Sequence, residues 1–97
     1  MDIHFQHRGT TFVWNDAKAS GNLNKHGVSF EEAVTVFDDP MLVVQDASRN
    51  DQTRDAVIGF DLHTRLLFVV YVEIQDDGLR IISARRATRK EEAIYAQ

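Results

Sequence analysis

The hydrophobic pattern changes period at Pro40, and that break constrains the fold more than any other feature of the 97 residues. Before it, Phe30, Ala33, Val34 and Phe37 recur at i, i+3, i+4 and i+7, the spacing of one helix face. After it, four runs at 41–45, 56–60, 66–73 and 79–84 are rich in β-branched and aromatic residues and are separated by polar or turn segments. Helices first and strands second predict an α+β domain rather than alternating βαβ units. The expected architecture is an antiparallel sheet of four or more strands, with two N-terminal helices packed on one face and a short C-terminal helix.

Local signals set the boundaries. Asn15 is suited to cap a helix that runs to His26, and Gly27 supplies the left-handed residue that ends it. Ser29 with Glu32 forms a capping box for a second helix, which Pro40 stops near Asp38 and Asp39. Two short β-prone runs at 3–6 and 11–14 flank Gly9 and predict a hairpin or a single strand. Thr88 with Glu91 is a further capping box, opening the terminal helix.

The strand 66–72 is apolar on both parities, which predicts a central strand buried on both faces. Asp77-Gly78 reads as a hairpin turn and sets Gln75 opposite Arg80 and Glu73 opposite Ile82. Val70, Val72, Ile74, Ile81, Ser83 and Arg85 then share the face expected under the helices. Tyr71, Glu73, Gln75, Arg80, Ile82 and Arg86 share the open one. Parity separates Arg80 from Arg85 unless a bulge intervenes.

The length predicts one domain over 1–97. The absence of cysteine excludes a disulfide framework, a thiolate nucleophile and a cysteine zinc site, and points to the reducing cytoplasm. No apolar run approaches the length of a membrane span, and Met1-Asp2-Ile3-His4 is unlike a signal peptide. The histidines at 4, 7, 26 and 63 lack metal-ligand spacing, and there is no phosphate-binding glycine loop or nucleophile elbow, so no cofactor is expected.

The net charge of −4 weighs against a polyanion partner, but its distribution does not. Arg80, Arg85, Arg86, Arg89 and Lys90 follow one another without an acid among them, giving either a local basic face or a solvated strand and helix start. Arg80 and Arg85 are either phosphate clamps or partners of carboxylates such as Glu73 and Asp76. Lys25 and His26 are either a phosphate-binding lysine with a proton-transferring histidine, or cations answering the helix dipole. Trp14 and Tyr71 either stack on bases or fill the core. Arg49, in the polar loop 46–54, reads as an ordinary surface arginine.

Several segments in order carry a family resemblance. They are Phe12-Val13-Trp14-Asn15-Asp16-Ala17-Lys18, Asn22, Lys25-His26-Gly27-Val28-Ser29-Phe30-Glu31-Glu32-Ala33 and Phe37-Asp38-Asp39-Pro40. Arg54 with Gly59, Arg65-Leu66-Leu67-Phe68-Val69-Val70-Tyr71, then Arg80-Ile81-Ile82-Ser83-Ala84-Arg85-Arg86-Ala87-Thr88 and the stretch from Glu91 to Tyr95 continue it. The series resembles the BrnT family of toxins. Val13 and Asn15 stand where that family carries Glu and Asp, and Asn15 keeps a capping side chain. Residues 1–10 extend beyond the shorter members and are expected to add a strand.

The resemblance implies a RelE-like fold and metal-independent endoribonuclease activity by 2′-hydroxyl attack, with growth inhibition in the bacterial cytoplasm. It also implies a BrnA-type antitoxin, with operator DNA contacted only through the antitoxin complex, and no membrane partner. On this reading Arg80 and Arg85 hold phosphate, Lys25 and His26 supply charge and proton transfer, and Arg54 assists from the neighbouring strand. Arg86, Arg89, Lys90 and Tyr71 contact RNA. The alternative is a non-catalytic module of the same fold that binds RNA or protein without cutting.

Overall fold

The structure, a computed structural model, describes every residue from Met1 to Gln97. Arg8 and Gly9, both at positive φ, turn strand β1 (Asp2–His7) back onto β2 (Thr10–Asn15) as a tight hairpin. No linker follows β2. Its last residue, Asn15, accepts a hydrogen bond from the Lys18 amide at 3.0 Å and caps α1 (Asp16–His26), which Gly27 closes at φ 70°.

The Ser29–Glu32 capping box opens α2 (Phe30–Val34), but the helix does not run on to Asp38 in α form. It tightens into a 3₁₀ turn, Thr35–Asp38. Thr35 Oγ1 donates to the Glu32 carbonyl at 2.7 Å, and the tighter turn directs Val36 into the core while Phe37 stays only partly buried. Val36 then lies so close to the sheet that a Cβ on Gly59 would sit 2.9 Å from Val36 Cγ1. Glycine at 59 is what permits that approach.

The remaining strands are β3 (Val43–Asp46), β4 (Asp55–Phe60), β5 (Leu66–Glu73) and β6 (Leu79–Arg86), followed by α3 (Arg89–Tyr95). The sheet order is β1-β2-β6-β5-β4-β3. From β3 to β6 every pairing is antiparallel, as the period change predicts, while β2 joins β6 in parallel at Phe12↔Leu79 and Val13↔Arg80.

The 74–78 turn overturns the expected register. Asp76 and Asp77 take φ 60°, whereas Gly78 does not enter the left-handed region, so the turn is centred away from Asp77-Gly78. Residues Gln75–Asp77 coil as a 3₁₀ turn, and Gln75 is not opposite Arg80. The pairs are Glu73↔Leu79 and Val72↔Arg80. A bulge then takes up Ile82, after which Val70↔Ser83 and Phe68↔Arg85 follow.

The bulge decides which side chains share a face. Val69, Tyr71, Ile81 and Ala84 join Phe12, Trp14, Phe30, Ala33, Val34 and Val36 in the core between the sheet and the α1/α2 layer. Phe68, Val70, Val72, Arg80, Ser83 and Arg85 take the opposite face. The expectation that Val70, Ser83 and Arg85 lie under the helices is therefore reversed. β5 is fully buried on one face and only half-buried on the other.

α1 is tied to the sheet by one buried amide. Asn22 Nδ2 donates to the carbonyls of Val28 at 3.0 Å and Ala84 at 2.8 Å, and Asn22 Oδ1 accepts from the Ala84 amide at 3.1 Å. β2 pairs with β6 only near Arg80, and farther along β6 the Asn22 amide stands in for a strand partner at Ala84.

Candidate active site

The bulged register leaves Arg80 and Arg85 on the same face, opposite Val72 and Phe68, whose four-residue separation on β5 spans about 13 Å at roughly 3.3 Å per residue. Of the two, Arg85 belongs to a cavity. A depression of about 420 Å³ on this face is lined by Ala47, Ser48, Arg49, Arg54, Phe68, Val70, Ser83 and Arg85. Phe68 and Val70 provide an apolar floor, and three arginines with two serine hydroxyls form the walls. No carboxylate or histidine lines it.

Each wall has a local cause. The β3–β4 connection is itself a hairpin, in which Asn50 and Asp51 at positive φ fold Arg49 back against Gln52. Asp46 accepts from the Ser48 amide at 2.9 Å and from its hydroxyl at 2.6 Å, which fixes the start of the turn. Arg54 Nη2 donates to Gln52 Oε1 at 2.7 Å, so this guanidinium has no carboxylate partner. On the opposite wall, the Arg85 guanidinium lies 4.4 Å over the Phe68 ring. Its Nη1 and Nη2 donate to Glu91 Oε1 and Oε2 at 2.8 and 2.9 Å. The Glu91 hydrogen bond is the main cause of a raised Arg85 pKa. Burial raises the Glu91 carboxyl, but hydrogen bonds from Arg85 and the Thr88 amide outweigh it and hold the group below its ordinary 4.5.

The other candidates are scattered. Arg80 Nη2 donates to Asp2 Oδ2 at 2.8 Å, a partner on the N-terminal strand that its own hairpin does not foretell. Lys25, exposed, and His26, half-buried, end α1 on the helix-covered side and do not reach the cavity. Arg86 turns to the helix side with its surface exposed, and Arg89 and Lys90 are exposed on the first turn of α3. Tyr71 offers no surface for a base. It is 6% exposed and packs edge-on against Phe37 in the core. Trp14 is core as well.

Sequence reasoning does not find Arg49, Ser48, Ser83 and Phe68 as site residues. Asn50-Asp51 is the signal that could have found the first two, since an Asn-Asp pair between β-prone runs is turn chemistry that brings its flanks together.

Together these groups make a shallow cationic bowl with an apolar base. Fixed guanidinium donors in such a bowl suit a planar or tetrahedral oxyanion, and above all a phosphate with a base beside it.

The chain is similar to known proteins in sequence and in fold. A family profile described as "Ribonuclease toxin, BrnT, of type II toxin-antitoxin system" matches residues 14–91. The crystal structure of the Brucella abortus ribonuclease toxin, BrnT, superposes with a TM-score of 0.61 at 23% identity, covering 78% of this chain and 94% of that one. No curated protein matches by sequence.

Proposed function

Because this chain belongs to the BrnT ribonuclease toxins of type II toxin–antitoxin systems, we propose that it cuts RNA internally at the arginine-lined cavity, by 2′-hydroxyl attack and without a metal ion. The observation that carries the reading is the convergence of Arg49, Arg54 and Arg85 on one apolar-floored bowl. In-line attack of the 2′-oxygen on phosphorus breaks the bond to the 5′-oxygen, with water taking the 2′-hydroxyl proton and supplying one to the leaving 5′-oxygen, and it loads negative charge onto the non-bridging oxygens of the scissile phosphate. Arg85 and Arg54, on opposite walls, are the donors that meet it. A bowl walled by cations repels a divalent ion, which supports metal independence. Phe68 and Val70 give an adjacent base an apolar seat.

Arg80, Arg89 and Lys90 extend the cationic track beyond the bowl and contact the RNA backbone. Lys25 and His26, on the helix side, meet only RNA that wraps around the end of the sheet. The protein antitoxin is of BrnA type, operator DNA is reached only through the complex of the two, and the work is done in the bacterial cytoplasm, where the RNA is.

Incubation of the purified protein with single-stranded RNA and excess chelator tests this. Fragments ending in a 2′,3′-cyclic phosphate are expected. Arg85→Ala and Arg54→Ala should each cut about a hundredfold more slowly or worse, with circular dichroism unchanged. Intact RNA in the presence of a folded protein that still arrests growth would favour the non-catalytic module instead.

A further inference from the structure

The cation best placed to hold phosphate is already holding a carboxylate of its own chain. Both oxygens of Glu91 accept from the two terminal nitrogens of Arg85, at 2.8 and 2.9 Å, the fork that a phosphate would take. Arg85 Nη1 also donates to the Arg86 carbonyl at 3.1 Å, so three of the five guanidinium N–H groups are engaged internally. The Arg54 guanidinium, across the bowl, is bound only to the neutral side-chain amide of Gln52.

Glu91 is brought there by a lightly attached element. α3 has seven residues and buries none of them fully, and a helix of that length is not stable alone. Beyond the Arg85 pair, its far end is held by Tyr95, whose hydroxyl donates to Asp39 Oδ2 at 2.7 Å and whose ring stands edge-on to Phe60 at 5.3 Å.

We propose that Glu91 is an internal competitor for the RNA phosphate, so that α3 acts as a latch that keeps Arg85 closed until RNA displaces the carboxylate. The proposal rests on the cavity being the RNA site. Phosphodiester and carboxylate each carry a single negative charge and accept in bidentate fashion, so one replaces the other at Arg85 without leaving the guanidinium bare. A positioning role, in which Glu91 aims Arg85 at the substrate, is the opposing account and has the opposite sign.

Glu91→Gln separates them. The glutamine oxygen, in the place of Oε1, still accepts from the Thr88 amide and from Arg85 Nη1, which preserves the capping box, but the NH₂ in the place of Oε2 cannot receive the N–H of Arg85 Nη2, and the negative charge is gone. The probe is a single-stranded oligoribonucleotide with 2′-O-methyl groups, which binds but cannot be cut. Glu91→Gln should bind it about 3- to 10-fold more tightly than the parent, the range expected for releasing a partly exposed pair. Glu92→Gln removes an equal charge one residue along without touching Arg85 and should give a clearly smaller gain. In an Arg85→Ala background the Glu91→Gln gain should vanish.

Equal or weaker binding by Glu91→Gln, with Arg85→Ala still defective, overturns the latch and leaves the RNA site standing. A gain that Glu92→Gln matches, or that survives Arg85→Ala, overturns it too. If Arg85→Ala binds as well as the parent, the site reading itself falls. Should Glu91→Gln reduce the folded fraction, Tyr95→Phe carries the test. It keeps the ring against Phe60, frees the far end of the latch, and is expected to tighten binding by a smaller factor, with unchanged binding counting against the proposal.

Discussion

Under the helices, the sheet presents Val69, Tyr71, Ile81 and Ala84 to a dry core, and the polar groups at that layer are completely engaged. Asn22 makes three hydrogen bonds there, and the fully buried Asp61 carboxylate takes two bonds from Arg65 along with the His63 and Arg65 amides. On the opposite face of the same strands, Phe68, Val70, Ser83 and Arg85 floor and wall an open bowl where Arg54 has no carboxylate and Arg85 has one that is exchangeable. The helix side uses polarity to fix position. The open side keeps polarity available. A substitution on the first should therefore cost stability, and one on the second should cost binding.

The sharpest test is Asn22→Ala. It strips the Ala84 amide and two carbonyls of their side-chain partner, and the loss should be about 2 to 4 kcal/mol, read as the midpoint of urea denaturation. A loss below about 1 kcal/mol would mean that water reaches Ala84 and that the helix side is not sealed. Gly59→Ala comes next. The new Cβ meets Val36 at 2.9 Å, and moving the 3₁₀ turn should cost about 1 to 3 kcal/mol in the same assay.

pH acts on α3 at both extremes. Glu91 in the folded chain sits below its ordinary 4.5, so its contribution is complete above that value and is lost as pH falls through the folded value. Tyr95 runs the other way. The Asp39 carboxylate, with burial, pushes it up to about 12, so its contribution is complete below 10 and is lost as pH rises from 10 through about 12. Melting curves of Tyr95→Phe should lack the alkaline decline that the tyrosine adds, and those of Glu91→Gln should lack part of the parent's acid decline. Arg80→Ala is expected to have the smallest effect. The midpoint should stay where it is, and RNA affinity should weaken only several-fold, with a salt dependence shallower by about one unit of slope for each phosphate released. An effect as large as that of Arg85→Ala would merge the two arginines into one site and erase the distinction drawn between them.

The α+β class, the helix from Asn15 to Gly27, both capping boxes and the antiparallel order after Pro40 are legible in the sequence because each rests on interactions within a few residues. What escapes it is long-range or cumulative. The 74–78 turn moves the register by an odd number of residues, and the Ile82 bulge moves it again, so Arg80 and Arg85 meet on one face despite their odd spacing. Arg85 and Arg54 stand out by their chemistry, yet their grouping with Arg49 depends on how a polar hairpin folds back over β5, which no local period records. The parallel β2–β6 pair is invisible for the same reason, since its partners lie far apart along the chain.

Asn22 has a mechanical consequence for its neighbour in space. Its amide grips both backbone groups of Ala84, and the next side chain along the strand, on the opposite face, is Arg85. β6 is thus clamped from behind at the point where, on the proposed reading, the front would bear the pull of a polyanion. Recoil of the strand under that load would have to drag a whole helix with it. Any swing of the guanidinium would then be on its own stem, with the anchor beneath it held still, and the Ala84 amide hydrogen should accordingly be among the last in the molecule to exchange with solvent, whether or not RNA is bound.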